Sequence, residues 1–388
     1  MTRKELFEKT ESIKPADRQA VLKAKARQAS LAKPPGSLGG LEDMSVRIAG
    51  MTGQVTNRIG RGCVAVFCAD NGVAREGVAS APQSVTRAQT INFTRRLTGV
   101  GALARSYDSE LLIVDMGVKD PAPPELYTDV PLADTHKIVD RRLRQSGQTD
   151  SIAEGPAMTE AEALQAIETG IEMADDVHEA GFSIMGAGEM GIGNTTTSAA
   201  LLSAIIGKSA EETAGRGGGV NDEGFARKKE IIDKASEEFR GEGGILAAPE
   251  DVRADKMLDA LARMGGFDIC AMTGAYLGAA ANRMPIVIDG YISAVAALAA
   301  YVIAPAAADY MIASHKSFEK GYALAIETLG LKPFLSLDMR LGEGSGCPVA
   351  FSIIRGACDV MADMATFEEA EINDDYLEEI RNEEKYQR

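Results

Sequence analysis

Met185-Gly186-Ala187-Gly188-Glu189-Met190-Gly191-Ile192-Gly193-Asn194-Thr195-Thr196 decides how the rest of this chain is read. An apolar run, 182–185, leads into it, and a segment of helical pattern leads out. Glycines at such a strand-to-helix turn free main-chain N–H groups and let a ligand approach the backbone closely. A helix N-terminus adds a partial positive charge, which suits a single phosphate.

Outward from this stretch the same pattern recurs. Apolar runs at 63–69, 110–114, 182–185 and 285–288 end in Asp70, Asp115, Gly186 and Asp289, and helical segments follow. Weaker members are 310–313 before Ser314-His315 and 334–337 before Asp338. Continuous apolar strands alternating with helices predict an α/β fold with a parallel sheet covered on both faces. Ligands in such sheets bind beyond the carboxyl ends of the strands, where these acids and glycines fall.

The flanking regions read more simply. Residues 4–30 predict helix broken at Pro15, Lys33-Pro34-Pro35-Gly36-Ser37 is a breaker, and 41–51 is a further helix. Residues 120–160 read as a Pro-rich excursion, 242–251 as a loop, and the acidic tail 367–388 as a surface helix with a frayed end. The uncharged stretch 291–308 is read as buried rather than membrane-spanning, because Pro305 interrupts it and alanine dominates it.

The chain has 388 residues, a formal net charge of −16 and five cysteines, none in a C-x-x-C pair. The charge excludes nucleic acid and anionic membrane as partners drawn by the overall field. Unpaired thiols at apolar positions and a charged, h-region-free start predict a cytoplasmic protein. The three histidines, His136, His178 and His315, are scattered, so no metal site is expected.

Three features carry chemistry. The glycine turn contains G-x-G-x-x-G, which admits a dinucleotide-binding dehydrogenase. Against it, no second strand ending in an acid follows about 20 residues on, and Glu189 stands where a pyrophosphate would lie. Gly215-Arg216-Gly217-Gly218-Gly219 precedes a helix carrying Lys228, which either reaches back to a phosphate or stays solvated. In Arg340-Leu341-Gly342-Glu343-Gly344-Ser345-Gly346 a lone carboxylate among glycines is a candidate general base, or an acid opening a helix. His315 caps a helix or touches substrate.

Together these motifs resemble the nicotinate-nucleotide–dimethylbenzimidazole phosphoribosyltransferase family, from about residue 30 to 372. The resemblance is carried by the 188–196 turn and by Lys33-Pro34-Pro35-Gly36-Ser37-Leu38-Gly39, Cys68-Ala69-Asp70-Asn71-Gly72-Val73 and Glu76-Gly77-Val78. It continues in Gly265-Gly266-Phe267-Asp268, Met272-Thr273-Gly274, Asp289-Gly290-Tyr291-Ile292-Ser293, Ser314-His315 and 340–346. It implies a Rossmann-like large α/β domain, 28–348, and a small helical domain from both chain ends, 1–27 and 349–388. It also implies a homodimer, no metal or organic cofactor, and two small-molecule partners, nicotinate mononucleotide and an aromatic lower-ligand base.

The implied role of Glu343 is general base. It takes the proton from the attacking base nitrogen as nicotinate is displaced at the anomeric carbon with inversion. Gly188, Gly191, Gly193, Asn194 and Lys228 are implied phosphate contacts, Glu189 the ribose-contacting acid, and Gln89 and Ala81 base-pocket positions. Asp289, Ser314 and Leu341 complete the implied substrate-binding set. Two positions depart from the family pattern: Asn71 where a histidine is usual, and Ala81 where a serine is frequent. They leave open a widened acceptor range, or one subunit of a heteromeric, phenol-accepting or non-autonomous nucleotide-binding relative.

Overall fold

A computed structural model of the chain describes residues 1–377. Among these residues seven strands form one sheet, ordered β3-β4-β2-β1-β5-β6-β7. They are β1 (Gly62–Ala69), β2 (Ser109–Gly117), β3 (Tyr127–Thr128), β4 (Ile138–Asp140), β5 (Ile184–Met190), β6 (Ile286–Ile288) and β7 (Met311–Ala313). Every pairing is parallel. All eight residues of β1 are buried, as a central strand covered on both faces requires. The chain runs from β1 outward through β2 to the β3–β4 edge, then returns to the other flank of β1 as β5. Strand order therefore reverses between β1 and β5, which opens a crevice beyond their carboxyl ends.

The helices pack closely on this sheet. Gly170 of the helix Glu160–Glu179 faces Gly274 of the helix Phe267–Ala281. A methyl group at Gly170 would lie 1.8 Å from the Ala271 carbonyl oxygen, and one at Gly274 1.9 Å from that of Ile167. Two backbones in this proximity hold the start of the second helix, including Asp268, against the ends of β1 and β5.

Both chain ends add an auxiliary helical layer. Pro15 separates the helices Arg3–Thr10 and Arg18–Ser30 as expected, and Asp17 caps the second by accepting from the amides of Gln19 and Ala20. Helices Arg18–Ser30 and Gly40–Thr52 pack with the end of the helix Gly346–Asp363 through Ala24, Ala49 and Met361. The chain passes 31 and 366 as an antiparallel bridge. The expected boundary at 348/349 falls inside the continuous helix Gly346–Asp363, whose Cys347, Phe351 and Ile354 belong to the main core.

Several expected boundaries are corrected. β5 continues through Gly186 and Gly188 to Met190, so the turn is only 191–193. Asp115 lies inside β2, where its carboxylate accepts from the amides of Gly117 and Val118 and the Tyr127 hydroxyl. Residues 334–337 form no strand, only a bridge between His315 and Leu335. With β7 only three residues long, little edge remains for them to pair with. The 120–160 excursion supplies β3 and β4 at the opposite edge. In the tail, 367–377 holds turns and a 3-10 turn, Asp375–Leu377, rather than helix; 378–388 lie outside the described residues. The uncharged stretch is the helix Tyr291–Ile303, almost wholly buried, followed by a 3-10 turn, Pro305–Tyr310, of which Ala307 and Tyr310 are buried. Among the described residues no helix is long and apolar enough to cross a membrane.

The tight helix crossing yields a stability test. Gly274→Ala is expected to lower unfolding free energy by about 1–3 kcal/mol or more, because neither backbone can retreat from the added methyl. Denaturant unfolding monitored by circular dichroism measures it.

Candidate active site

Gly188 has no room for a side chain. A methyl there would stand 2.5 Å from the Glu343 carbonyl oxygen and 2.6 Å from the Gly344 nitrogen. Its glycine character therefore serves the packing of 342–344 on β5. Gly342, Glu343 and Gly344 all take positive φ, at 86°, 64° and 81°. For glutamate this is strained backbone. The strain is met by directed bonds. The Gly344 amide donates to Asp289 Oδ2 at 3.1 Å and the Gly346 amide to Oδ1 at 2.7 Å. The Glu343 amide makes a longer contact, 3.4 Å, to Glu189 Oε1.

This geometry turns the Glu343 side chain inward, leaving the residue only 4 % exposed. Its Oε2 accepts from the Val100 amide at 3.1 Å, in the first turn of the helix Gly99–Ser106. Its Oε1 accepts from Gln89 Nε2 at 3.2 Å, and Asn92 donates to Gln89 Oε1, which fixes the orientation of that amide. Burial raises the Glu343 carboxyl above its ordinary range; the Val100 and Gly99 amides and Gln89 pull it back. The helix that opposes protonation is thus Gly99–Ser106, not the one beginning at Gly346.

Below the 342–344 segment lies a cavity of about 200 Å³. Glu189, Gly191, Asn194, Asp289 and Leu341 line it, as do His315, Arg340 and the Gly217-Gly218 stretch. Two helices point their N-termini at it. Gly193 precedes Asn194–Ile206 and Gly290 precedes Tyr291–Ile303, and neither helix has a side-chain cap. Free N–H groups at two converging helix starts favour an anion.

Lys228 is fully buried rather than solvated, and its Nζ donates to Thr195 Oγ1 at 2.9 Å. Burial pulls its pKa down to about 8, and Glu319 opposes the shift. It therefore stands behind the cavity wall and reaches it through Thr195.

Buried carboxylates crowd the other side. Asn194 Nδ2 donates to Glu189 Oε2 at 2.5 Å and to Asp268 Oδ2 at 3.0 Å. Burial first, and Asp268 second, push Glu189 well above the usual carboxylate range; burial does the same to Asp268. Burial brings Asp289 up to about 7 despite its two main-chain donors. His315 Nδ1 lies 3.9 Å from Asp289, but burial lowers its pKa to about 4, so the pair is a neutral imidazole beside a carboxyl group rather than a salt bridge. His315 caps no helix; it sits after β7, stacked on Tyr322 with ring centroids 6.5 Å apart.

Of the sequence candidates, Glu189, Gly191, Asn194, Asp289 and Leu341 line the cavity, whereas Glu343 and Gly188 do not: Gly188 lies beneath the 343–344 backbone, and Glu343 turns its carboxylate toward Gln89 and Val100. Gly193 and Ser314 stand behind the wall, with Ser314 Oγ donating to the Asp289 carbonyl at 3.3 Å. Gln89 joins the site through Glu343. Ala81 does not line the cavity; it lies half-buried before Pro82. Asp268 and the Val100 amide escaped the sequence reading. For Asp268 the signal was its place beside the Gly265-Gly266 pair, but nothing local distinguishes it from a first-turn helix acid. Asn71 is fully buried, accepting from Thr197 Oγ1 at 3.3 Å.

The chain is similar to known proteins along nearly its whole length. A family profile described as phosphoribosyltransferase matches residues 13–372. A Clostridium perfringens protein named nicotinate-nucleotide–dimethylbenzimidazole phosphoribosyltransferase is 45% identical over 98% of this chain and 99% of its own length. The chain belongs to that family. A Chloroflexus aggregans protein of the same name is 43% identical over 93% of this chain and 96% of its own. The crystal structure of the Thermus thermophilus enzyme superposes with a TM-score of 0.81 at 35% identity, covering 92% of this chain and 99% of that one.

Sulfate, whose charge is constant near neutrality, probes the anion site of this phosphoribosyltransferase. Its affinity is expected to fall as pH rises through about 8, where Lys228 loses its proton. Lys228→Gln is expected to weaken it several-fold at pH 7 and to flatten that pH dependence, leaving only the part that comes from ionisation of Glu189 and Asp289 on the cavity wall. Isothermal titration calorimetry reads both.

Proposed function

We propose that the chain transfers 5-phosphoribosyl from nicotinate mononucleotide to 5,6-dimethylbenzimidazole or a related lower-ligand base. The products are the α-ribotide and nicotinate, made for assembly of the cobalamin nucleotide loop. The observation that carries this reading is Glu343, a buried carboxylate held by Gln89 and a helix N-terminus, whose neighbours Leu341 and Gly342 and whose amide partner Glu189 line a cavity faced by two uncapped helix starts.

The steps follow from the arrangement. The nucleotide phosphate sits at the two uncapped helix starts, with Lys228 supplying charge through Thr195. Glu189, on the cavity wall, faces the ribose. A ring nitrogen of the acceptor base attacks the anomeric carbon from the face opposite nicotinate. The bond to nicotinate breaks and its electron pair leaves with that ring, neutralising the pyridinium nitrogen. The proton shed by the acceptor ring passes to Glu343. Carboxylates near the anomeric carbon favour the positive charge that develops there, as in glycoside transfer. Gly342, where a methyl would lie 2.5 Å from Glu189 Oε1, brings the two acids together. Most of the rate gain is positioning two rings in line.

The same reading makes the working unit a homodimer in a reducing, cytoplasmic setting. Leu341, on the cavity lining, and Phe318, under the guanidinium of the cavity-lining Arg340, are large apolar side chains more than half exposed, which a second copy would cover. All five cysteines are free and buried. Light scattering of the purified chain tests the dimer; a monomer at micromolar concentration counts against it.

Glu343→Gln keeps the hydrogen-bonding shape but removes the proton acceptor. It is expected to reduce turnover by roughly 10²–10⁴-fold while nicotinate mononucleotide binds nearly as before. Near-normal turnover removes Glu343 as the base, and parallel loss of binding makes it structural. A widened acceptor range rests on the sequence departures at Asn71 and Ala81 alone, since neither residue lines the cavity. In competition among dimethylbenzimidazole, adenine, p-cresol and phenol, the chain alone is expected to use more than one base; exclusive use of dimethylbenzimidazole overturns that extension.

A further inference from the structure

Glu189 and Asp268 are two buried carboxylates that share a single donor, the Asn194 side-chain amide. Among the described residues neither forms an ion pair. The remaining contacts of Asp268 are main-chain and amide donors: the Ile269 amide at 3.0 Å, and Asn71 nearby. Two anions that close, out of water and without a cation, strongly oppose each other's ionisation. One proton kept by the pair removes most of that cost.

The surroundings reinforce this. Asp289, at the end of β6, adds a further negative group facing Glu189. From β1 comes the buried thiol of Cys68, itself pushed up by burial, and from beyond β7 the neutral ring of His315. The 342–344 segment offers only the Glu343 amide, at 3.4 Å from Oε1. Lys228 reaches the opposite end of the cavity through Thr195, and Arg340 stands at its exposed rim.

We propose that Asp268 is a positioning residue: with Asn194 it binds Glu189 into a two-carboxylate unit that keeps one proton, presenting Glu189 to the cavity as a hydrogen-bond-donating acid. Oε2 is taken up by Asn194, so Oε1, with only the long contact from Glu343, is the oxygen that carries the proton. A donor at this place suits the oxygens of an anionic sugar phosphate. Two full charges there would repel the ligand that the neighbouring helix starts attract. The charge left on the pair stays on Asp268, behind Asn194 and out of the cavity. This deepens the proposed reaction, but the physical state of the pair is measurable without it.

The test uses the full chain carrying ¹³C-carboxyl-labelled glutamate and infrared spectroscopy across pH. A protonated glutamate band that disappears in Glu189→Gln identifies Glu189, and it is expected to be present at pH 7 in the wild type. Asp268→Asn keeps an oxygen for Asn194 to donate to but removes the charge. It is expected to move the Glu189 midpoint down by about one pH unit or more, the scale of a like-charge carboxylate pair. Absence of the wild-type band at pH 7 overturns the proposal whether or not any variant folds. An unmoved midpoint in Asp268→Asn overturns it too.

The kinetic arm adds a readout that a merely structural role leaves in place. The alkaline limb of kcat/KM is expected to shift to lower pH in Asp268→Asn, whereas a packing defect lowers the rate at every pH without moving the limb. Lys228 titrates in the same range, but Asp268 has no part in its shift. If the infrared midpoint moves and the limb does not, the pair stands and the part given to Glu189 in the transfer falls.

Discussion

The main chain at Glu343 and Gly344 rests directly on Gly188 of β5, and the site depends on that contact. No side chain separates the two backbones. The segment descends onto the strand in three successive left-handed residues, and one of them is the glutamate whose carboxylate has to face inward. A non-glycine residue in this conformation costs about 1–2 kcal/mol. Asp289 offsets it by accepting from the amides on both sides of Ser345. Remove the close approach and Glu343 no longer meets Gln89, Val100 and Glu189 together. The strain and the site therefore have a common origin.

A second constraint is electrostatic. The chain carries a net charge of −16 and puts Glu189 and Asp289 on one cavity wall with Asp268 and Glu343 behind them, yet two uncapped helix N-termini open on the same cavity. The conflict is resolved locally. Each acid is held by N–H donors rather than by cations: main-chain amides for Asp289 and Glu343, the Asn194 amide for Glu189 and Asp268. Burial raises all four, which reduces the negative charge present near neutrality. The uncapped starts of two helices and the buried Lys228 then supply positive potential at short range, where the distant surface charges are screened.

Sheet topology brings these groups to one place. β1, β5, β6 and β7 are neighbours, and their carboxyl ends lead into Asp70, Gly191, Asp289 and Ser314. The reversal of strand order between β1 and β5 leaves the crevice that the 342–344 segment partly covers. Close helix crossing at Gly170 and Gly274 fixes where Asp268 enters.

The amino-acid sequence determined the alternation of strand and helix, the parallel sheet, the breaks at Pro15 and 33–37, and the importance of the 185–196 and 340–346 glycines. Those properties are local: they follow from apolar runs, helix-breaking residues and turn chemistry within a few positions. It could not show that β5 runs on through Gly188, because glycine in a strand reads as a turn until the segment that needs the space is seen. Nor could it separate a buried Lys228 from a solvated one, recognise Asp268 as the partner of Glu189, or name Val100 as a donor to Glu343. Burial and charge pairing between residues far apart in sequence exist only once the chain has closed on itself, and tertiary structure alone decided them.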